Sequence, residues 1–192
     1  MTIHKSPLAD LALRDISITE RVLQGLQAVP DRVLAVDGPS GASLTGAEMV
    51  AAITELAGGL QRIGVAPGVV VALLAPNCPD YAVVFHAVAL AGGTLTTINP
   101  TYTAPEVAHQ LRDAGAALLV TVPALLELAR AAAVETRVAE VVVIGAVAGL
   151  RGIDDLRGPA LTAQVAVDLD SHPVVLPYSS GTTGLPKGVV LS

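Results

Sequence analysis

Aromatic residues are almost missing from this chain. Its 192 residues include no tryptophan, one phenylalanine and three tyrosines, although about half of all residues are apolar. Any core must therefore be assembled from Ala, Val, Leu and Ile. Lysine is rarer still, with only Lys5 and Lys187. No basic cluster exists and the net charge is −6, so the electrostatic footprint of a DNA- or RNA-binding surface is lacking. The single cysteine, Cys78, excludes an intrachain disulfide and suits a reducing compartment. No zinc ligand set can be assembled. Residues Met1 to Asp15 carry charges and no apolar stretch, unlike a secretory signal. The longest apolar windows are interrupted by Pro76, Asn77, Pro79 and Asp80, or by Pro123, Glu127 and Arg130. None supplies the ~20 clean residues of a membrane-spanning helix. These absences lead to the expectation of a cytoplasmic protein with no nucleic-acid partner.

What is present is ordered punctuation. Ser17-x-x-Glu20, Thr45-x-x-Glu48 and Thr103-x-x-Glu106 are capping boxes, each opening a helix. Val33 to Val36 and Ala42 to Leu44, with Asp37-Gly38-Pro39-Ser40-Gly41 between them, read as a hairpin. Gly64 is placed to end the second helix in a left-handed conformation. Val69 to Leu74 is a continuous β-branched and apolar run, the mark of a strand covered on both faces. A buried helix follows from Asn77–Asp80 to Ala91, then a strand over Thr94 to Ile98. A helix runs to Ala114, a strand spans Ala117 to Thr121, a helix starts at Pro123, and a strand covers Val141 to Ile144. Ala146 to Ser171 has no clear period. Val174 to Leu176 is the next strand. This alternation predicts an α/β fold, a mainly parallel sheet with helices on both faces. The change of pattern at Gly64 to Gly68 divides the chain in two. Residues 1–64 hold a helix, a hairpin and a helix contributing to one subdomain, and residues 65–192 form an alternating β/α subdomain.

The densest chemistry lies near the carboxyl end, in Ser179-Ser180-Gly181-Thr182-Thr183-Gly184-Leu185-Pro186-Lys187-Gly188. Apolar residues enter this stretch (Val174 to Leu176) and leave it (Val189 to Leu191), giving strand, polar loop, strand. A phosphate chain needs donors at close range and a cation. Gly181, Gly184 and Gly188 allow close backbone approach, so successive N–H groups can form an anion nest. Ser179, Ser180, Thr182 and Thr183 add hydroxyl donors, and Lys187 adds a mobile positive charge. The stretch reads as a phosphate grip at the carboxyl end of a parallel strand, where such sheets bind ligands. It is not a Walker loop. Counted from Gly181, that pattern needs glycine where Pro186 stands and a hydroxyl where Gly188 stands. No G-x-S-x-G elbow is present either. A flexible Ser-Gly-Thr linker is the plain alternative, but it has no need of a lysine and a proline at fixed places between apolar strands.

These ten residues resemble the phosphate-loop motif of adenylate-forming enzymes, which include acyl-CoA synthetases, peptide-synthetase adenylation domains and firefly-type luciferases. Ser43 to Met49, Val65 to Asn77 and Ala91 to Glu106 agree with the family's early segments. The last of these, Ala91-Gly92-Gly93-Thr94 to Pro100, then Thr101-Tyr102-Thr103 and Glu106, is most similar to the 4-coumarate–CoA ligase and luciferase branch. The resemblance runs from about Ser17 to the last residue. It implies the N-terminal part of a domain in the adenylate-forming fold, with the rest of the large domain and a C-terminal domain absent from this sequence. The implied reaction joins a small-molecule carboxylic acid to coenzyme A through an acyl-adenylate, using ATP and Mg2+. Ser179, Ser180, Gly181, Thr182, Thr183 and Lys187 would hold the β- and γ-phosphates, and Gly184 and Pro186 would shape the loop. No catalytic residue and no metal ligand is assigned within these residues, which are expected to be inactive alone. A homodimer is left open. The alternatives are an adenylation domain that loads a carrier protein, and a non-catalytic nucleotide-binding or interaction fragment.

Other residues read as structural. Cys78 sits at a helix start without a neighbouring base. His86 lies in an apolar helix as a core histidine. His109 and His172 lack partners at ligand spacing. Asp154, Asp155, Asp168 and Asp170 read as solvated loop charges. Tyr102 and Tyr178 flank sheet ends near the loop, with packing their simplest role.

Overall fold

In the computed structural model the described residues are 15–179 and 186–192. They form α1 (Ile18–Gln27), β1 (Val33–Val36), β2 (Ser43–Thr45), α2 (Gly46–Arg62), β3 (Val70–Leu74), α3 (Pro79–Leu90), β4 (Thr94–Ile98) and α4 (Ala104–Ala114). The series continues with β5 (Leu118–Thr121), α5 (Leu126–Ala133), β6 (Glu140–Val143), α6 (Ile153–Leu156), β7 (Val175–Ser179) and β8 (Lys187–Gly188).

The three capping boxes form. The Glu20, Glu48 and Glu106 carboxylates accept hydrogen bonds from the N–H groups of Ser17 (3.2 Å), Thr45 (2.8 Å) and Thr103 (2.7 Å). Gly64 has φ +97°, and Val65 N–H returns to Leu60 O, so the glycine closes α2 as its position predicts. Helix α5 begins with a single 3-10 turn at Pro123–Leu125.

The main sheet has the order β6-β5-β3-β4-β7-β8. Five strands are parallel, and only β8 runs against its neighbour, β7. Side chains alternate between two cores. Val71, Leu73, Leu95, Leu118 and Val120 face α1, α2 and α3, whereas Ala72, Leu74, Ile98 and Leu119 face α4 and α5. Both faces of the sheet are thus covered, as the uninterrupted apolar run of β3 predicts. Helix α2 joins the first core, packed against α3. It is crossed by the chain around Leu156–Leu161 at Gly58 and Gly59. A Cβ on Gly59 would stand 1.7 Å from Leu156 O, and one on Gly58 1.9 Å from Pro159 O.

Strands β2, β3, β5 and β6 have ends that differ by one residue from the sequence expectation, and two further differences bear on the site. Strand β7 starts one residue later than predicted and extends through Pro177 to Ser179. The outgoing strand is not Val189 to Leu191 but Lys187–Gly188, followed by an isolated bridge between Leu191 and Val175. Val189 N–H donates to Pro177 O at 2.9 Å, but proline has no N–H to return the bond, so the ladder is broken between the two pairings.

Candidate functional site

Strand β3 feeds α3 on one face of the sheet, while its neighbour β4 feeds α4 on the other. Adjacent parallel strands whose outgoing chains part to opposite faces leave a crevice at their carboxyl ends. A cleft of about 580 Å³ opens there, between Ala75-Pro76-Asn77 after β3 and Asn99-Pro100 after β4. Tyr81, Tyr102 and Tyr178 all line it, and these are all the tyrosines of the chain. A second groove of about 650 Å³, between Ser17–Val22 and Val167–Val174, lies at the amino-terminal side of β7, away from that crevice.

A buried polar network forms the floor of the cleft. Gln110, on α4 and 1% exposed, donates from Nε2 to Thr96 Oγ1 (2.9 Å) and to Thr97 O (3.0 Å). Thr96 Oγ1 donates in turn to Leu176 O on β7 at 2.8 Å. Both acceptors require the amide nitrogen, so the Gln110 carbonyl oxygen is left without a hydrogen-bond partner. Thr94 Oγ1 makes a second tie, to Pro173 O at 2.7 Å. Side-chain hydroxyls of β4 thus fix the backbone leading into β7. At the cleft margin Asn99 Oδ1 accepts from Thr101 N–H (3.0 Å) and Oγ1 (2.9 Å), shaping the turn after β4.

Ser179 and Lys187 are brought together. Ser179 is the last residue of β7, Lys187 is the first of β8, and the two are direct partners in the antiparallel pair. Both are exposed, at the carboxyl edge of the sheet beside the cleft. Ser180, Gly181, Thr182, Thr183 and Gly184 lie outside the described residues. Tyr178 adjoins the pair, and its hydroxyl donates to Asp113 Oδ2 of α4 at 2.5 Å. Burial raises the Tyr178 phenol pKa, and the hydrogen bond to Asp113 and that carboxylate's charge raise it further. Burial also raises the Tyr81 phenol, with a hydrogen bond from Thr97 opposing it.

The remaining candidates are structural. A helix start favours a thiolate at Cys78, but burial outweighs it and pushes the thiol pKa up. His86 Nδ1 lies 3.0 Å from the hydroxyl of the fully buried Thr19, and burial lowers its pKa. Asp154 pairs with Arg157 (2.9 Å), Asp155 accepts from Gly152 N–H (2.8 Å), and Asp168 accepts from Ser171 Oγ (2.7 Å). Among the described residues no group of His, Cys, Asp or Glu could hold a metal ion. Gln110, Asp113 and Tyr81 were not singled out by the sequence. A signal for two of the tyrosines did exist: in a chain with four aromatic residues, Tyr102 and Tyr178 flank predicted sheet ends.

The parallel sheet, its switch-point cleft and the Ser179–Lys187 pair beside that cleft define the class as an α/β fold with a ligand crevice at its carboxyl edge. The family model described as AMP-binding enzyme matches residues 24–192, and the chain belongs to that family. It is 39% identical over 191 residues to 4-coumarate–CoA ligase 5 of Oryza sativa subsp. japonica, covering 99% of this chain and 35% of that protein. It superposes on a long-chain-fatty-acid-CoA ligase from Archaeoglobus fulgidus with a TM-score of 0.87 and 28% identity, over 98% of this chain and 39% of the other. The luciferase-like enzyme of the mealworm Zophobas morio shares the fold, with a TM-score of 0.84 at 23% identity. The chain spans about a third of the length of the curated relatives it matches.

Proposed function

We propose that this chain is the phosphate-binding part of an ATP-dependent carboxylate–CoA ligase. In the proposed reaction a carboxylate oxygen attacks the α-phosphorus of ATP and the α–β anhydride breaks. Pyrophosphate leaves with the bonding pair, and an acyl-adenylate remains. A thiol, that of coenzyme A, then attacks the acyl carbon and expels AMP. Within this chain Lys187 would offset the charge developing on pyrophosphate, and Ser179, Ser180, Thr182, Thr183 and the backbone around Gly181 and Gly184 would donate to its oxygens. Among the described residues no group of His, Cys, Asp or Glu fits a magnesium ion. Residues 1–64 would contribute to one subdomain and residues 65–192 to another.

The observation that carries this reading is the pairing of Ser179 with Lys187 at the carboxyl edge of the parallel sheet. Such an edge is where α/β sheets bind ligands, and one hydroxyl and one of only two lysines meet there. Identity to 4-coumarate–CoA ligases over nearly the whole chain favours an aromatic or fatty acid over a carrier-protein loader. Calorimetry with inorganic pyrophosphate tests the reading. Binding should weaken at least about tenfold in Lys187→Ala, the scale of one charge-assisted hydrogen bond. Equal binding by the two proteins overturns the assignment of Lys187. Acid-dependent ATP–pyrophosphate exchange should be absent from these 192 residues alone, and robust exchange overturns that expectation.

A further inference from the structure

Strand β8 is two residues long, lies at the edge of the sheet, and is followed by exposed Val189 and Val190. Its ladder to β7 lacks the hydrogen bond that Pro177 cannot donate. Backbone pairing alone is too sparse to fix the position of Lys187. A side chain supplies the rest. Tyr178 is the cross-strand partner of Gly188, and its ring lies against that glycine. A Cβ on Gly188 would stand 3.1 Å from Cζ, 3.2 Å from the hydroxyl oxygen and 3.3 Å from Cε2 of Tyr178. An aromatic ring laid across an edge glycine covers its backbone and pins the register of the pair. The far end of the ring is tied down in turn, through its hydrogen bond to Asp113. Helix α4 is a firm anchor, because Leu111 is fully buried and Gln110 is bonded to β4.

We propose that Tyr178 is a positioning residue for Lys187: it clamps Gly188 beneath its ring and, through Asp113, fastens the β7–β8 pair to α4. The clamp ties down the residue next to Lys187 and holds the ammonium group's strand opposite Ser179. Its value for phosphate binding rests on the reading of Lys187 given above. Because the phenol pKa is raised, the hydroxyl stays protonated and able to donate at neutral pH. The carboxylate of Asp113 gives the bond its strength, since hydrogen bonds to charged acceptors exceed neutral ones.

The test is pyrophosphate affinity, by calorimetry on the full chain, for the wild type, Tyr178→Phe, Asp113→Ala, Asp113→Asn, Lys187→Ala and the double variant Tyr178→Phe/Lys187→Ala. Tyr178→Phe and Asp113→Ala should each weaken binding about tenfold. Asp113→Asn, whose carbonyl still accepts from the phenol, should lose less than about threefold. In the Lys187→Ala background Tyr178→Phe should change nothing further, because a positioning residue acts only through the group it positions. Wild-type affinity in Tyr178→Phe, with binding reduced in Lys187→Ala, overturns the clamp, and so does an additive loss in the double variant. Wild type and Lys187→Ala binding alike, or not at all, is the failure of the phosphate reading. The clamp is then decided by amide exchange at Ser179, Lys187 and Gly188. Faster exchange there in Tyr178→Phe, with Val71–Leu73 unchanged, supports it, and unchanged exchange overturns it. Asp113 is exposed, so Asp113→Ala keeps the test open if the tyrosine variant does not fold.

Discussion

Strand β3 sits between β4 and β5, and four of its five residues are buried, whereas none of the residues of β7 or β8 is. The two regions start from similar material. Val70-Val71-Ala72-Leu73-Leu74 and Val174-Val175-Leu176 are both runs of β-branched and aliphatic residues. They part in what covers them. Strand β3 has helices on both faces, so its stability is that of a packed interior. The β7–β8 pair is held by the parallel ladder from β4 to β7, threonine hydroxyls of β4, one tyrosine and the short β7–β8 ladder. The centre of the sheet carries the fold through buried area. The carboxyl edge is positioned by a few directional bonds and remains open where Ser179 and Lys187 meet.

The sharpest way to break the packed side of this comparison is at Gly59. Its added Cβ would meet a backbone carbonyl of the crossing chain, which has no flexible end to swing away. Gly59→Ala should therefore cost about 4 kcal/mol or more, measured by urea unfolding, or leave no folded protein. A loss below 1 kcal/mol would show that the chain at Leu156–Leu161 is free to lift off α2.

Gln110 belongs to both regions, since it is buried in the α4 core yet holds Thr96, which holds β7. Gln110→Leu removes the donor to Thr97 O and Thr96 Oγ1 while keeping apolar volume. It should destabilise by about 1–3 kcal/mol, the cost of buried acceptors left unpaired. It should also speed amide exchange in β7 more than in β3. Equal acceleration in both strands would mean that Gln110 acts only as core packing.

The contrast also separates what could be read from sequence. Capping boxes, the Gly64 stop and strands β3 and β4 are local patterns, written within a few consecutive residues, and they form where those patterns lie. The loop chemistry is local too. The bonds that position the edge are not. Tyr178 and Asp113 are 65 residues apart, and Thr96 and Leu176 are 80 apart. Nothing near Asp113 marks it as an anchor, and nothing near Gly58-Gly59 marks those glycines as a crossing point rather than weak places in a helix. Pro177 carries a local pattern that points away from the observed strand. A proline argues against a central strand, yet here its missing N–H falls on the β8 side, so the ladder to β4 is spared and only the edge pairing is weakened.

A smaller effect is expected from pH. His86 lies half-buried in α3 beside Thr19 of α1, and burial holds its pKa below the ordinary 6.5. Between that lowered value and 6.5 the unfolded chain binds more protons than the folded one, so stability rises with pH. The contribution is complete above the unfolded value and is lost as pH falls from there toward the folded value. The urea midpoint should fall between pH 7 and pH 5, and His86→Gln should flatten that fall. An identical pH profile in the variant would assign the effect to other groups.

The smallest effect gives the most direct reading of the comparison, because one residue type occurs in both regions. Val71 is fully enclosed in β3, whereas Val190 is 65% exposed just beyond β8. Val→Ala removes the same two methyl groups at each. At Val71 the loss of burial and the cavity left between two packed faces should cost about 2–3 kcal/mol. At Val190 water already reaches most of the side chain, and the change should stay within about 0.5 kcal/mol. Similar costs at the two positions would mean that the segment after β8 is covered in solution. The edge would then owe its order to burial, and the tyrosine and threonine bonds would be secondary to it.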